Sequence, residues 1–582
     1  MLRRLLKAAI PAALAATTAT LAAGAAAAPA TASAKPATAE RVLLMLSDGV
    51  PATLDVDGPA GNHKPTQMAL INVLEPLVDY ARKRTNADGV DELDFDRIEP
   101  RLAESWSYDA ATLTWTFRLR RDVRSCAGNP LTADDVLYTF ARAKSLSGSA
   151  PVGWFIANVA SVEGFTPALF GEEARRSGKR ELGAEVRKVD AHTVQIRQSG
   201  PNRMFLPALA IFGLGIYDQR AMRAHATPED PWSHGHTARV DAPSFGPWCV
   251  VDWRKDEHFI VRANPHYYRG RAWFDRVILR NVPQSANRVG ILRTGKAQLI
   301  DGLSPKEYAF LAQRPEVKVG GGYLNGTLIM MANWKASPLD DERVRRALAH
   351  AIPYDQVIRD GYFGAATQYH GLVPTPYPGR IAPTARYQYD PARAAQLLAE
   401  AGYPGGRGLE RYAASFRLSY GLSREVVLGP VATTLRSALR KVGFPVELDP
   451  LPDVQLADRQ LVKKDLPLSL YDGLVPIGVD AAYAILLSYV SPPRGLNNMT
   501  NFRDAEVDAH FGRALNEPDP ARRDAELAAA QQIIAARLAA IPMLEYKAQW
   551  AHDPRLRGLT LHPTQQVRWY PLRLEAPPGS AR

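Results

Sequence analysis

Leu113, Trp115, Phe117 and Leu119 alternate with Thr114, Thr116, Arg118 and Arg120, so one side of this stretch is apolar and the other polar. That period of two predicts a half-buried hairpin strand. Upstream, "RVLLMLSDGVPATLD" reads as a short apolar strand entering a Gly/Pro turn. The period changes in "LTADDVLYTFARA", where Val136, Phe140 and Ala143 recur at helical spacing behind Thr132 and Asp135. Thr132 is placed as N-cap with an acid three residues on, which predicts a capped helix packed on that sheet. Asp390-Pro391 and Asp519-Pro520 each set an acidic cap before a proline, and an alanine-rich helix is expected after both. In "FRLSYGLSREVVLGPVATTLRSALRKVGFPVEL" a strand ends at Gly421, Ser423 is taken as the cap of a long helix, Lys441 and Gly443 close it, and a new strand starts at "PVEL". This is a βαβ unit, so a partly parallel sheet is predicted here.

The stretch "VGILRTGKAQLI" carries Gly290, Gly295 and Lys296 at the spacing of a phosphate-binding loop, with Ala297 where that motif needs a hydroxyl. A phosphate loop runs strand, glycine turn, helix. The order here is the reverse: Ser285 as a possible cap, Val289 and Leu292 at helical spacing, Gly295 as a stop, then a strand. Lys296 becomes a cation at the negative end of a helix, and nucleotide binding is set aside.

Residues 1–34 change the picture of where the chain works. Arg3, Arg4 and Lys7 precede a long alanine-rich stretch ending at Ala32-Ser33-Ala34, the form of a cleaved secretory signal peptide. No cysteine lies near its end, so a lipid anchor is not expected. The remainder is too long for one core, and two or more lobes are expected. The formal charge of +11 falls to about +8 without the leader, and its charges are interspersed, as in "RVRRALAHAIPYDQVIRD". A solvated surface is read, with no nucleic-acid partner. Cys126 and Cys249 are the only cysteines, and sequence leaves open whether they are bonded.

Chemistry is sparse. The motifs Gly-x-Ser-x-Gly, Ser-x-x-Lys, His-Glu-x-x-His and Cys-x-x-Cys are all missing from the sequence. His234 and His236 could share a metal, but without a Cys or a nearby carboxylate cluster they read as a surface loop. Asp134-Asp135 and Asp340-Asp341-Glu342 fall at helix starts, where capping accounts for them. No metal or cofactor is expected.

Taken in order, "PATLD", "VLEPLV", "PRLAESWSYDAATLTWTFRLRRDV", "GNPLTADDVLYTFARA", "SFGPWCVVDW", "ANPHYYRG", "RVGILRTGKAQLI", "DDERVRRALAHAI", "YDPARAAQLLAEAGYPGG" and "VGFPVEL" resemble the solute-binding proteins of peptide- and nickel-type ABC importers. The resemblance covers nearly the whole chain after the leader. It implies an α/β, two-lobed periplasmic-binding-protein clamshell with mixed sheets and two crossover segments, near "GYLNGT" and "IPMLEY". Lobe I is expected at about 40–324 plus 546–582, with an extra subdomain at about 80–190, and lobe II at about 325–545. It also implies a monomeric, non-enzymatic periplasmic receptor that hands a short peptide or peptide-like solute to an inner-membrane permease with its ATPase. A nickel-chelate or haem receptor of the same fold is one alternative, and a secreted hydrolase of small amides or esters is the other.

By the same resemblance the ligand lies against two segments. One is the loop at Gly61 and Asn62, where main chain pairs with an extended ligand. The other is "YDGLVPIGVDAAYA", with Tyr471, Asp472, Leu474, Val475, Pro476 and Ile477. Peptide binders of the family hold the ligand's amino group with an Asp that falls here on Ile477, so that carboxylate is missing. Asp472 is the nearest substitute, although a strand-end Asp more often faces solvent or forms a turn, and Asp480 is expected to cap the next helix. Trp334, just past a lobe boundary, is assigned to the cleft.

Overall fold

The computed structural model describes residues 40–58, 61, 63–145, 152–165, 183, 185–210, 214–473, 479–491, 495 and 497–576. The leader expected at residues 1–34, together with Asn62, Leu474, Val475, Pro476 and Ile477, lies outside the described residues.

The strands are β1 (Val42–Ser47), β2 (Val78–Thr85), β3 (Asp91–Pro100), β4 (Ala103–Asp109), β5 (Thr114–Leu119), β6 (Val186–Asp190), β7 (Thr193–Arg197), β8 (Trp248–Arg254), β9 (His258–Ala263), β10 (Arg276–Asn281), β11 (Leu299–Ile300), β12 (Lys318–Ala332), β13 (Ala366–Gln368), β14 (Arg417–Gly421), β15 (Glu447–Leu451), β16 (Leu468–Asp472), β17 (Ile541–His552) and the short β18 (Leu556–Arg557), β19 (Thr560–Leu561) and β20 (Arg573–Leu574). The largest sheet runs β15-β14-β16-β12-β17-β11-β1-β10-β9-β8, with β13 also on β17. It is mixed: β14 pairs in parallel with β15 and β16, and β1 with β10 and β11, whereas β12 and β17 are antiparallel. The β12–β17 ladder shifts register between Tyr323 and Thr327, inside the "GYLNGT" segment. Smaller sheets run β19-β3-β2, β4-β5-β7-β6 and β18-β20. The hairpin strand appears as predicted, with Phe117 and Leu119 buried, but Leu113 has φ of 54° and stands just outside β5.

Helices α1 (Lys64–Val73), α2 (Ala133–Ser145), α3 (Ser285–Arg293), α4 (Pro391–Glu400), α5 (Glu425–Val442), α6 (Ala481–Ser488) and α7 (Pro520–Ala536) are used below. Asp390 and Asp519 accept from the Arg393 and Arg522 backbone N–H groups, so both Asp-Pro starts are caps. Asp480 likewise caps α6, accepting from the Ala482 N–H. Two expected caps are corrected. Ser423 donates to Asp453 Oδ1 at 2.9 Å instead of capping α5, whose N-cap is Arg424. Ser285 is the first helical residue of α3, and Gln284 is the N-cap. Gly443 closes α5 at φ 113°, and Gly295, at φ 72°, follows α3 before β11, so the helix-glycine-strand order holds.

Two principal buried clusters flank the β12–β17 ladder. One contains Leu43, Met45, Phe117, Phe259 and Leu279, and takes Leu324, Ile329 and Met331 from β12. The other gathers Leu328, Met330, Val344, Leu348, Leu418, Leu435 and Leu470, with Ile541, Met543 and Leu544 from β17. Alternation along β12 thus sends successive side chains to different cores.

Candidate functional site

In mixed α/β sheets a binding crevice forms beyond the carboxyl ends of the parallel strands, where connections diverge. Such a crevice, about 470 Å³, is lined by Ser47 and Asp48 at the end of β1, Pro283 past β10, and Asp301 past β11. Its other wall is Ser423, Arg424, Val426 and Val427, past β14, with Tyr362, and Tyr546–Trp550 of β17 forms its floor. The first turn of α1 enters from one side and that of α5 from the other.

Its charged groups are specific. Arg424 donates from Nε to Asp472 Oδ2 at 2.7 Å. The Asp472 side chain is 3% exposed, so it is neither solvated nor turn-forming, contrary to expectation. Tyr362 and Tyr546 stack at 5.3 Å between ring centres; burial, reinforced by the Asp472 charge, raises both phenols well above their ordinary range. Arg288 is buried and spends its guanidinium on the carbonyls of Val282, Pro283 and Gly302. Lys64 lines the crevice, remains exposed to solvent there and makes no hydrogen bond to a described residue; desolvation by the crevice walls, then the charge of Arg424, lowers its ammonium's proton affinity.

Asp301 has an Oδ1 buried without a partner among the described residues, and its carboxyl is pushed up to about 6, first by burial and then by Asp48. The folded state therefore binds a proton more tightly than the unfolded chain, so this group's contribution falls as pH rises from about 4 to about 6. Asp301→Asn should gain on the order of 2 kcal/mol over wild type at pH 7 and nothing at pH 3.5. Urea midpoints of the two proteins across that range check this, and parallel profiles would refute it.

The sequence-assigned residues distribute unevenly. Gly61 is buried, and a Cβ there would meet the Val56 carbonyl oxygen at 2.4 Å, so its own loop already demands glycine. Tyr471 precedes Asp472 and packs against the first core, its hydroxyl raised to about 12 by burial and then Asp472. Trp334 packs edge-on to Phe502 at 4.9 Å under the Arg345 guanidinium, 3.8 Å from its ring, and is not among the residues lining this crevice. Sequence reasoning missed Lys64, Arg424, Asp48 and Asp301. A cation opening a helix just past a strand, as at Arg424, was the available signal.

A second cluster lies elsewhere. Asp55, Asp57 and His234 could together present ligand atoms to a cation, all within 4.8 Å of one another. The fully buried Arg142 already supplies the positive charge: Nη1 pairs with Asp57, and Nη2 pairs with Asp55 Oδ1 at 3.0 Å. Burial acts to raise the Asp55 carboxyl, but Arg142 and His234 outweigh it and hold it below its ordinary range. His236 does not join; it stacks on His225 with 3.7 Å between centres. Ser145 Oγ, His234 and Asp55 also form a chain at 2.8 Å per link, the outline of a hydrolase triad. The Arg142 carbonyl, one turn back in the same helix and 2.7 Å from Ser145 Oγ, competes with His234 for the single hydroxyl proton. The cluster ties the loop at 53–57, α2 and the turn at His234–Thr237 together.

Cys126 and Cys249 form a disulfide, with a Cα–Cα separation of 5.7 Å. Among the described residues no helix is long and apolar enough to cross a membrane.

Comparison with known proteins places this geometry. The chain is 25% identical over 469 residues to "Probable D,D-dipeptide-binding periplasmic protein DdpA" of Escherichia coli K12, covering 80% of this chain and 83% of the relative. Its fold matches the periplasmic binding protein DppA from Helicobacter pylori in complex with peptide STSA, with TM-score 0.71, 21% identity, and coverage of 92% of this chain and 99% of that one. It also matches NikA from Brucella suis in complex with Fe(III)-EDTA, with TM-score 0.74, 20% identity, and coverage of 92% and 100%. The fold is thus the two-lobed α/β periplasmic-binding-protein clamshell the sequence predicted. The family described as "Bacterial extracellular solute-binding proteins, family 5 Middle" matches residues 97–492, more than half of the chain. A crevice at the strand ends, a sheet continuous through two cores and this match together make the chain a member of the bacterial extracellular solute-binding proteins, family 5.

Proposed function

We propose that the protein is the periplasmic receptor of an ABC importer, capturing a short peptide or peptide-like solute between two closing lobes and passing it unaltered to the permease and its ATPase. Lobe I takes about 40–324 with 546–582, and lobe II about 325–545. The leader at 1–34 directs export, and the working form is a monomer. The observation that carries this reading is the crevice itself, whose walls come from the strand ends of both halves and whose floor is the ladder joining them. A solute seated there touches both walls only when they approach, so it binds the closed state preferentially and shifts the population toward it. The relatives point to the solute class: DdpA's name gives a D,D-dipeptide, and the Helicobacter protein holds a tetrapeptide. The loop at Gly61 and Asn62 and the segment from Tyr471 to Ile477 are assigned to the ligand's main chain and one end.

The test is closure. Spin labels at two exposed positions, Lys306 in one lobe and Arg359 in the other, should move to a shorter, narrower distance distribution when a dipeptide mixture is added. The mixture should also raise the thermal midpoint, by about 2.7 kcal/mol equivalent at a hundredfold excess over Kd. Unchanged distances and midpoint with every peptide offered, or consumption of the peptide, would sink the reading.

A further inference from the structure

A second groove shares no described lining residue with the strand-end crevice. It measures about 560 Å³ and runs between parts of the chain that lie far apart in sequence. One wall carries Phe95 and Ile98 of β3, Tyr108 of β4, Trp115 of β5 and Leu206 of the short helix Phe205–Leu209. The other carries Pro378, Val479, Leu515 of the helix Ala505–Asn516, and Pro518 in the turn from that helix to α7. Cavities of about 300–1,000 Å³ whose linings are mostly apolar and aromatic, with few polar groups, are the usual form of small-molecule sites.

The aromatic wall is set before anything binds. Trp115 contacts the Tyr108 ring at 4.7 Å between centres and stacks on Phe205 at 5.2 Å, within 16° of parallel. Its indole N–H donates to Gln198 Oε1 at 2.8 Å, and Gln198, 2% exposed, is held in turn by donating to the Ala160 and Asn202 carbonyls. Trp115 is only half-buried and Tyr108 is exposed, so ring surface remains open to a guest. A ring whose orientation is fixed in advance loses little freedom when it is covered.

The buried polar groups of the groove are spent on protein partners. Arg523 donates to Asp480 Oδ1 at 2.9 Å and to Asp524 Oδ1 at 3.1 Å, and Glu517 accepts from Arg522 at 2.8 Å. The Asn202 amide donates to the Val159 carbonyl and to Ser161 Oγ, both at 2.7 Å. Asp96 and Arg203, of opposite charge, are exposed to solvent. A charged guest would therefore give up its hydration without meeting a buried counter-charge that is free to replace it. An apolar ring instead displaces water from Trp115, Phe95 and Leu515.

We propose that this groove is a second binding site, for a neutral planar aromatic compound seated against Trp115 and reaching across to Leu515 and Pro518. No described residue of the strand-end crevice takes part, so the site stands or falls separately from the receptor reading. A compound touching both walls favours the arrangement that brings them together.

The probe is N-phenyl-1-naphthylamine, a neutral aromatic amine whose emission rises in apolar surroundings, titrated into the full-length mature protein. Binding should saturate at one probe per chain with a Kd on the order of 10 µM. Leu206→Arg, which sets a cation on the apolar wall, should weaken it about tenfold or more, and Val240→Arg, at an exposed apolar position outside the groove, should leave it unchanged. If Leu206→Arg melts lower than wild type without probe, Pro518→Arg, at an exposed position on the opposite wall, takes its place with the same expected loss. The anionic 1-anilinonaphthalene-8-sulfonate should bind about tenfold more weakly than the neutral amine. A saturating dipeptide mixture should leave the amine bound. Absence of saturable binding, or groove variants that bind as wild type does, overturns the site, and equal affinity for the sulfonate overturns its ligand class. Displacement of the amine by dipeptides merges the groove with the solute's own site and overturns its independence.

Discussion

Arg142→Met is expected to destabilise the fold by about 3–5 kcal/mol, because it leaves the Asp55 and Asp57 carboxylates buried without their counter-charge. Besides those acids, the guanidinium donates to Thr237 Oγ1 at 2.8 Å and to the Trp232 carbonyl at 3.1 Å, and it lies over the Tyr217 ring at 4.9 Å. Losing one side chain therefore takes partners at once from the loop at 53–57, from the Trp232–Thr237 stretch and from Tyr217. Adding Asp55→Asn and Asp57→Asn to Arg142→Met should recover a large part of the loss, since neutral amides cost less to bury than lone carboxylates. Urea denaturation of the single and triple variants measures both. A single-variant cost below 1 kcal/mol, or a triple variant no better than the single, would contradict the account.

Cys126→Ser with Cys249→Ser is expected to cost about 2–4 kcal/mol, since the bond closes a loop spanning a sequence separation of 123 residues and the chain-entropy term grows with that length. The bond ties the turn before α2 to β8, and so fastens the segment carrying the hairpin and α2 to the edge of the main sheet. Reducing agent should lower the thermal midpoint of wild type and leave the double variant unmoved. An equal response in both would remove the bond from the stability of the protein.

Local pattern explains why some elements could be read in advance. The alternation through β5, the Asp-Pro starts of α4 and α7, and the βαβ unit of β14, α5 and β15 depend on neighbours within a few residues, where period and capping act. Ser423 shows the limit: its hydroxyl had a local use at the helix start, but Asp453, 30 residues on, offered a better partner. The site was less legible for the same reason. His234 meets Asp55 across 179 residues and Arg424 meets Asp472 across 48, so neither pairing leaves a periodic trace. The resemblance directed attention to the stretch after β16, whereas the charged walls come from strand ends hundreds of residues apart.

The return of β17 to the first half governs how the chain can be made. β11 has β17 as its antiparallel neighbour, and Asn72 of α1 donates to the Val567 carbonyl at 2.8 Å and accepts from the Trp569 N–H at 2.7 Å. Synthesis proceeds from the amino end, so the earliest-made portion stays unfinished until the last few dozen residues emerge. A stop codon placed shortly before Val567 would keep β17 and remove both carboxyl-terminal partners of the buried Asn72 amide.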